Sequence, residues 1–286
     1  MKIKEILQNG KLNLSLEVFP PKEWPKFDDT IRTVDSMALL SPSFISVTYG
    51  AAGGTKTYTK KIAEHIQQQC HVTALAHMTC VGTDREEAQK LLSELSNSGV
   101  ENILALRGDK PLSGEYKKDF THASDLVRFI KTSGNFCVGG ACYPEGHPEA
   151  ESLSKDMDAL KIKEECGVDF FTTQMFFDNN IFYCFLNKLY QKGINTPVIA
   201  GIMPITKPSQ VRSVMELSGS AVPPRFRAIV EKFGDNPKAM QQAGLIYAAE
   251  QIIDLYANGV RNVHVYTMNK PFVAATLRSH LSEILA

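Results

Sequence analysis

Residues 12–25 read LNLSLEVFPPKEWP. From Leu12 to Val18 apolar and polar side chains alternate, the period of a strand with two different faces, and the run stops at Pro20 and Pro21, which have no N–H to give a strand ladder. A strand opening a doubly wound dinucleotide-binding sheet passes into a glycine-rich turn; no G-x-G-x-x-G occurs here or elsewhere in the 286 residues.

Seven more short apolar runs follow: FISVTYG (44–50), VTALAHMTC (72–80), NILALRGD (102–109), FCVGGACY (136–143), FFTTQMFF (170–177), PVIAGIMP (197–204) and NVHVYTMN (262–269). The segments between them carry helical spacing. DREEAQKLLSELSNSG (84–99) begins acidic and ends in glycine, as a capped helix does, and the segments 149–167 and 236–259 also end in a glycine before the next strand. Strict alternation implies a parallel sheet. Eight repeats and a last helix, PFVAATLRSHLSEIL (271–285), imply an α/β fold closed as a (β/α)8 TIM barrel, one catalytic domain over residues 1–286. The insertion 205–235, around Pro223 and Pro224, is expected to add short helices between strand seven and its main helix.

Composition narrows the partners. With 31 basic and 31 acidic side chains there is no electrostatic footprint for nucleic acid or an anionic membrane, and small-molecule chemistry is the expectation. No apolar run approaches a membrane span, and the N-terminus MKIKEILQNGKLN lacks the apolar core of a secretory signal, so a cytoplasmic location is expected. The six cysteines form no C-x-x-C pair and fall in or beside apolar segments, so neither zinc nor structural disulfides are expected.

In such a barrel alternate side chains face the lumen, and active sites gather at the carboxyl ends of the strands. Parity puts Leu14, Leu16 and Val18 outward with Ser15 and Glu17 inward, and Ile45 and Val47 outward with Ser46 and Thr48 inward. On strand four it reads Leu104 and Leu106 outward with Ala105, Arg107 and Asp109 inward. Thr172 and Gln174 share one face, as do His264 and Tyr266. Glu17, Thr48, His77, Arg107, Asp109, Tyr143, Gln174 and Tyr266 all fall near strand ends and are expected to share one mouth. Ser15, Ser46 and His264 read as hydrogen-bonded structural groups, and Arg107 with Asp109 as an ion pair if they have no other task. Glu17 differs, because its neighbours are apolar and no cation is close in sequence. Such surroundings raise a carboxyl pKa and make a proton donor near neutral pH. The lumen set offers no metal-ligand spacing, Lys110 is a poor Schiff-base candidate, and the glycine-rich loop YGAAGGTKTYTK (49–60) is a weak phosphate signal.

In this order and at these strand ends, EVFPPK, SVTYGA, AHMTC, ALRGD, YPEGHPEA, TQMFFD and HVYTMNK resemble the methylenetetrahydrofolate reductase family over nearly the whole chain. The resemblance implies a flavin-dependent barrel of the bacterial type that reduces 5,10-methylenetetrahydrofolate to 5-methyltetrahydrofolate. It implies FAD as cofactor, NADH or NADPH as co-substrate, and ping-pong hydride transfer. Glu17 would be the general acid, with Asp109 beside flavin and pterin as the second catalytic residue. Thr48, Tyr49, Ala51, His77, Arg107, Gly108, Asp109, Ala123, Tyr143, His147, Ala150, Asp156 and Lys163 would hold FAD. Gln174, Gln210, Tyr266 and Lys270 would join Glu17 and Asp109 in holding substrate, with no metal. Four positions depart from the family pattern. Ala159 and Ile162 stand where better-known bacterial members have Asn and Arg near the FAD, Val214 where some have a substrate-stacking Phe, and Lys270 where a forked Arg would meet the folate tail. The resemblance admits a homo-oligomer and an iron–sulfur partner subunit. Two rival readings, a flavin barrel of the proline dehydrogenase kind and a non-catalytic folate- or flavin-binding subunit, leave the buried acid at Glu17 without a task.

Overall fold

The eight apolar runs form eight parallel strands, each hydrogen-bonded to its sequence neighbour, and β1 (Asn13–Val18) pairs with β8 (Asn262–Tyr266) to close the cylinder. The structure is a computed structural model that describes residues 1–49, 56–109 and 119–286. Between these two strands run β2 (Ile45–Val47), β3 (Ala74–Thr79), β4 (Asn102–Leu106), β5 (Cys137–Cys142), β6 (Phe170–Thr173) and β7 (Val198–Ile202). Outside them lie α2 (Phe27–Ala38), α3 (Lys56–Gln68), α4 (Arg85–Asn97), α5 (Ala123–Ser133), α6 (Leu153–Glu165), α7 (Asn179–Gln191), α10 (Pro237–Ala257) and α11 (Pro271–His280). The short α1 (Ile3–Leu7) precedes β1. As expected, the insertion forms two helices, α8 (Pro208–Ser218) and α9 (Pro224–Phe233), each with proline in its first turn, where the missing N–H is no loss. Among the described residues no helix is long and apolar enough to cross a membrane.

Local chemistry explains the helix ends. At α4, Asp84 accepts from the Glu87 amide at 2.8 Å while Glu87 reaches back to the Asp84 amide, and Ala88, Leu92 and Leu95 form the buried stripe. The main core lies between strands and helices and includes Leu14, Leu16, Val18, Ile45 and Val47, on the outward face that parity assigns them. A second apolar layer fills the amino-terminal end of the lumen: Phe44, Leu75, Leu104, Cys137, Phe170 and Ile199, plugged from below by Ile3, Ile6 and Leu7. Asn102 holds the plug in place by accepting from the Ile3 amide at 2.8 Å.

This layer corrects the reading of strand four. Leu104 and Leu106 belong to the lumen layer, whereas Ile103 and Ala105 pack outward among the helices. NILAL is apolar on both faces because a parallel strand is buried on both, so alternation there carries no sign of which face is which. Arg107 and Asp109 lie beyond the last residue of β4 and owe their places to the loop rather than to strand parity.

Gly139 on β5 faces this layer. A Cβ there would come within 2.5 Å of Phe170 Cζ and 2.8 Å of Leu104 Cδ1. Gly139→Ala is therefore expected to lower the urea midpoint, losing about 1–3 kcal/mol to overpacking with an unchanged m-value. An unchanged midpoint would show the layer to be looser than drawn.

Candidate active site

Strand register builds the centre of the site. Glu17 pairs with Ser46 on β2 and with Tyr266 on β8, and His264 faces Ser15 one step below. The Glu17 carboxylate lies 3.8 Å from His77 Nε2 and 4.0 Å from His264 Nε2, distances that suggest ion pairs. They are not ion pairs, because burial pushes both imidazoles down to about 3 and leaves them neutral. Burial likewise pushes Glu17 up to about 8, against a smaller lowering by its hydrogen bond with Ser46. The side chain keeps 17% of its surface exposed, so most of it is withdrawn from water, and that withdrawal drives the shift.

The hydrogen bonds around Glu17 have a direction. Ser15 Oγ donates to the Val263 carbonyl at 3.1 Å and lies 2.8 Å from His264 Nδ1; His264 Nε2 lies 3.1 Å from Ser46 Oγ. A carbonyl only accepts, so with Ser15 donating to it, His264 donates from Nδ1 and accepts at Nε2 from Ser46. His77 Nε2 and Thr172 Oγ1, both in the lumen, are buried polar atoms with no protein partner. The Tyr266 hydroxyl donates to Thr173 O at 2.5 Å, and burial together with the Glu17 charge pushes its phenol well above the usual range.

The loop after β8 holds this strand end from the side. Thr267 Oγ1 donates to Glu17 O at 2.7 Å, and the Asn269 amide accepts from Phe19 N at 2.9 Å and donates to Phe19 O at 2.8 Å. Met268 and Asn269 have φ of 55° and 53°, so the chain turns back on itself to reach β1.

A cationic rim surrounds a second part of the mouth. Arg107 grips Glu149 through both guanidinium nitrogens at 2.7 and 2.6 Å, so its ion-pair partner is Glu149 and not Asp109. Gly108, at φ 81°, packs its backbone against Thr79 where a side chain would collide. Lys163 donates to Ala141 O at 2.8 Å, and burial lowers its pKa while Cys142 and Asp156 oppose the shift. His147 donates its backbone N–H to Asp156 at 3.1 Å, sits edge-on to Tyr143 and accepts from Glu149 N at Nδ1, which leaves the ring proton on Nε2. The Ala150 amide donates to His147 O at 2.9 Å, and a cavity of about 280 Å³ opens between these residues and Gly219. Asp109 is exposed, close enough for its charge to act on Arg107 and Tyr143.

The remaining expected residues fall around this frame. The Tyr49 hydroxyl is 3.4 Å from Thr83 Oγ1, Thr48 O accepts from Thr59 at 2.8 Å, and Ala123 opens α5. Gln174 continues β6 by donating to Cys142 O at 2.8 Å. Lys270 donates to Thr206 Oγ1 at 3.0 Å, and Gln210 Oε1 accepts from Thr206 N at 2.9 Å, so both meet at one threonine. Ala51 and Lys110 lie outside the described residues, as do residues 50–55 of the glycine-rich loop. Ala159 and Ile162 stand exposed on α6, and Val214 is buried with Phe177, Ile205 and Phe226. The sequence reading passed over Thr267, Asn269, Thr206 and Glu149. Ser46 and His264 are buried and hydrogen-bonded, as expected of structural groups, and only the fold shows that they bond to each other.

A family profile described as methylenetetrahydrofolate reductase matches residues 2–281. The chain belongs to the methylenetetrahydrofolate reductase family. That family is one of oxidoreductases, and this member is 32% identical over 261 residues to 5,10-methylenetetrahydrofolate reductase of Pectobacterium carotovorum subsp. carotovorum, covering 91% of this chain and 87% of that one. It is also 32% identical to methylenetetrahydrofolate reductase (NADH) 1 of Arabidopsis thaliana, with 94% of this chain aligned to 48% of that longer protein. A Clostridium thermocellum protein described as binding two copies of 5-methyl-5,6,7,8-tetrahydrofolic acid shares the fold, with a TM-score of 0.64 at 12% identity over 100% of this chain and 99% of that one.

In this reductase-family chain the three buried titratable groups make stability pH-dependent. Folded Glu17 keeps its proton to about pH 8 and an unfolded glutamate loses it near 4.5, so its contribution is complete below 4.5 and is lost as pH rises through 8. The histidines run the other way, complete above 6.5 and lost as pH falls toward 3. Glu17→Gln is expected to be the more stable protein at pH 8.5, by on the order of a few kcal/mol, with the advantage gone at pH 5. Urea midpoints across that range test this, and parallel profiles for the two proteins would refute it.

Proposed function

We propose that the chain, as one catalytic domain, reduces 5,10-methylenetetrahydrofolate to 5-methyltetrahydrofolate with FAD and NADH or NADPH, and that Glu17 supplies the proton. The observation that carries this reading is a carboxylic acid kept neutral to about pH 8 at the end of β1 in a chain of this family. The substrate's five-membered ring must open before it can take a hydride. Protonation of a ring nitrogen makes it the leaving group as the C–N bond breaks, and an acid of raised pKa gives up that proton readily near neutral pH.

The rim residues fit the cofactor. Arg107 lies close enough to Lys163 for its charge to help lower the lysine's pKa, with the His147 Nε2–H beside them, a donor set suited to an anionic diphosphate. Thr48, Tyr49, His77, Tyr143, Ala150 and Asp156 would complete the hold, together with Gly108, Ala123 and Ala51. FAD held there would supply two-electron hydride chemistry linking the reduced nicotinamide to the folate in a ping-pong scheme. Gln174, Gln210, Tyr266 and Lys270 would orient the folate, and Asp109 would hydrogen-bond its pterin. Lys270 keeps a charge for the glutamate tail without a fork. Burial keeps the Glu17 carboxyl protonated and so able to donate, beside a Ser46 that His264 holds in place.

The test separates the two half-reactions. Purified chain supplied with FAD should show a flavin spectrum that a reduced nicotinamide bleaches and methylenetetrahydrofolate restores. In Glu17→Gln, bleaching should proceed at close to the parent rate while reoxidation by the folate slows by about 100-fold or more, the usual worth of a general acid. Equal slowing of both halves would assign Glu17 a structural role, and failure to hold any flavin would remove the cofactor from the reading.

A further inference from the structure

Helices of this barrel run back from the mouth, so their carboxyl ends lie at the opposite, amino-terminal face. There Asp35, in the last turns of α2, meets His65, in the last turn of α3, and Cys70, two residues beyond that helix. His65 Nε2 is 2.6 Å from Asp35 Oδ1, Cys70 Sγ is 3.5 Å from the same oxygen, and the three atoms lie within 4.8 Å of one another. The backbone holds the group together: the Gln69 and Cys70 amides both donate to His65 O, at 2.9 and 3.1 Å, and His71 turns the chain with φ 55°.

We infer that Asp35, His65 and Cys70 form a binding site for a divalent transition-metal ion of the zinc class, with solvent completing the coordination. One imidazole nitrogen, one carboxylate oxygen and one sulfur are the donors such an ion takes, and a tetrahedral arrangement places ligand atoms roughly 3.3–3.7 Å apart. The Asp35–Cys70 spacing already meets that distance, and the Asp35–His65 spacing needs to open by less than about 1 Å. Asp35 has room for this, since its side chain is 49% exposed, and the same exposure leaves a coordination position for water.

Without an ion the arrangement is a compromise. The imidazole and the thiol both turn to a single carboxylate oxygen, and burial together with the Asp35 charge pushes the thiol up to about 11. A dication removes the competition by taking the place of the thiol proton and giving each donor its own bond to the metal. The site joins α2 to α3 on the face of the barrel where residues serve stability, so its occupancy should brace that pair of helices and leave the mouth untouched. It is therefore independent of the proposed reaction.

Cobalt provides the probe. The reduced, metal-free chain titrated with Co2+ should bind one equivalent, with a near-ultraviolet thiolate-to-cobalt band and tetrahedral d–d absorption, and Zn2+ should displace it and raise the thermal midpoint. Cys70→Ser should abolish the thiolate band and weaken binding by more than about tenfold, since even outer-sphere partners are worth that much. Cys184→Ser, at the exposed cysteine, should change nothing. His65→Gln provides a second variant should Cys70→Ser fold poorly, and it should weaken Co2+ binding in the same way. Non-saturating binding, or a thiolate band that survives Cys70→Ser, would overturn the assignment.

Discussion

The pairing of β1 with β8 is the constraint on which the site depends. It closes the cylinder, and the same register that matches Leu16 to Val265 also matches Glu17 to Tyr266 and Ser15 to His264. A slip of one residue would turn Glu17 into the helix layer and Leu16 into the mouth. Below the site, the plug of Ile3, Ile6 and Leu7 and the layer around Phe170 close the amino-terminal end of the lumen. From above, the Asn269 amide and the Thr267 hydroxyl hold the end of β1 where two prolines leave the backbone without donors of its own.

Closure also explains the unusual protonation. Glu17, His77 and His264 share a small enclosed space, and each resolves the cost of burial by becoming neutral. Neutrality of the histidines removes the cations that would otherwise draw the proton off Glu17. The two serines hold the His264 ring from both nitrogens, and Ser15 ties it to the Val263 carbonyl. The rim works by the opposite principle. It keeps Arg107 charged by pairing it with a half-exposed Glu149, near enough to water for the charge to persist. One fold thus offers a neutral acid inside and cationic donors at the edge, as a substrate needing a proton and a cofactor carrying phosphates would require.

The two ends of the barrel divide the labour. At the carboxyl ends of the strands, loops of different lengths bring polar groups over the lumen. At the amino ends, apolar packing and pairs such as Lys131 with Asp169 tie strands to helices. The Asp35, His65 and Cys70 group belongs to this second face, and its three residues come from two helices and the turn after one of them.

Alternation within LNLSLEV and the count of apolar runs were enough for the barrel, the outward face of β1 and the inward face of Glu17, because period-two burial leaves its mark in one short segment. The insertion helices were legible from the prolines around 223 and 224, and each helix does open on a proline. Strand four was not legible, since NILAL is apolar on both sides and only the packed lumen shows which leucines fill it. The chain alone also left Asn269, Thr206, Glu149 and the His264–Ser46 contact unseen, and it scattered Asp35, His65 and Cys70 without a ligand pattern. Sequence by itself determined which segments become strands, which way most of them face and which family the chain resembles, because those depend on neighbours along the chain. Tertiary structure alone decided who meets Glu17 and whether those partners carry charge, because desolvation and hydrogen bonding depend on neighbours in space that closure of the barrel brings from more than 200 residues away.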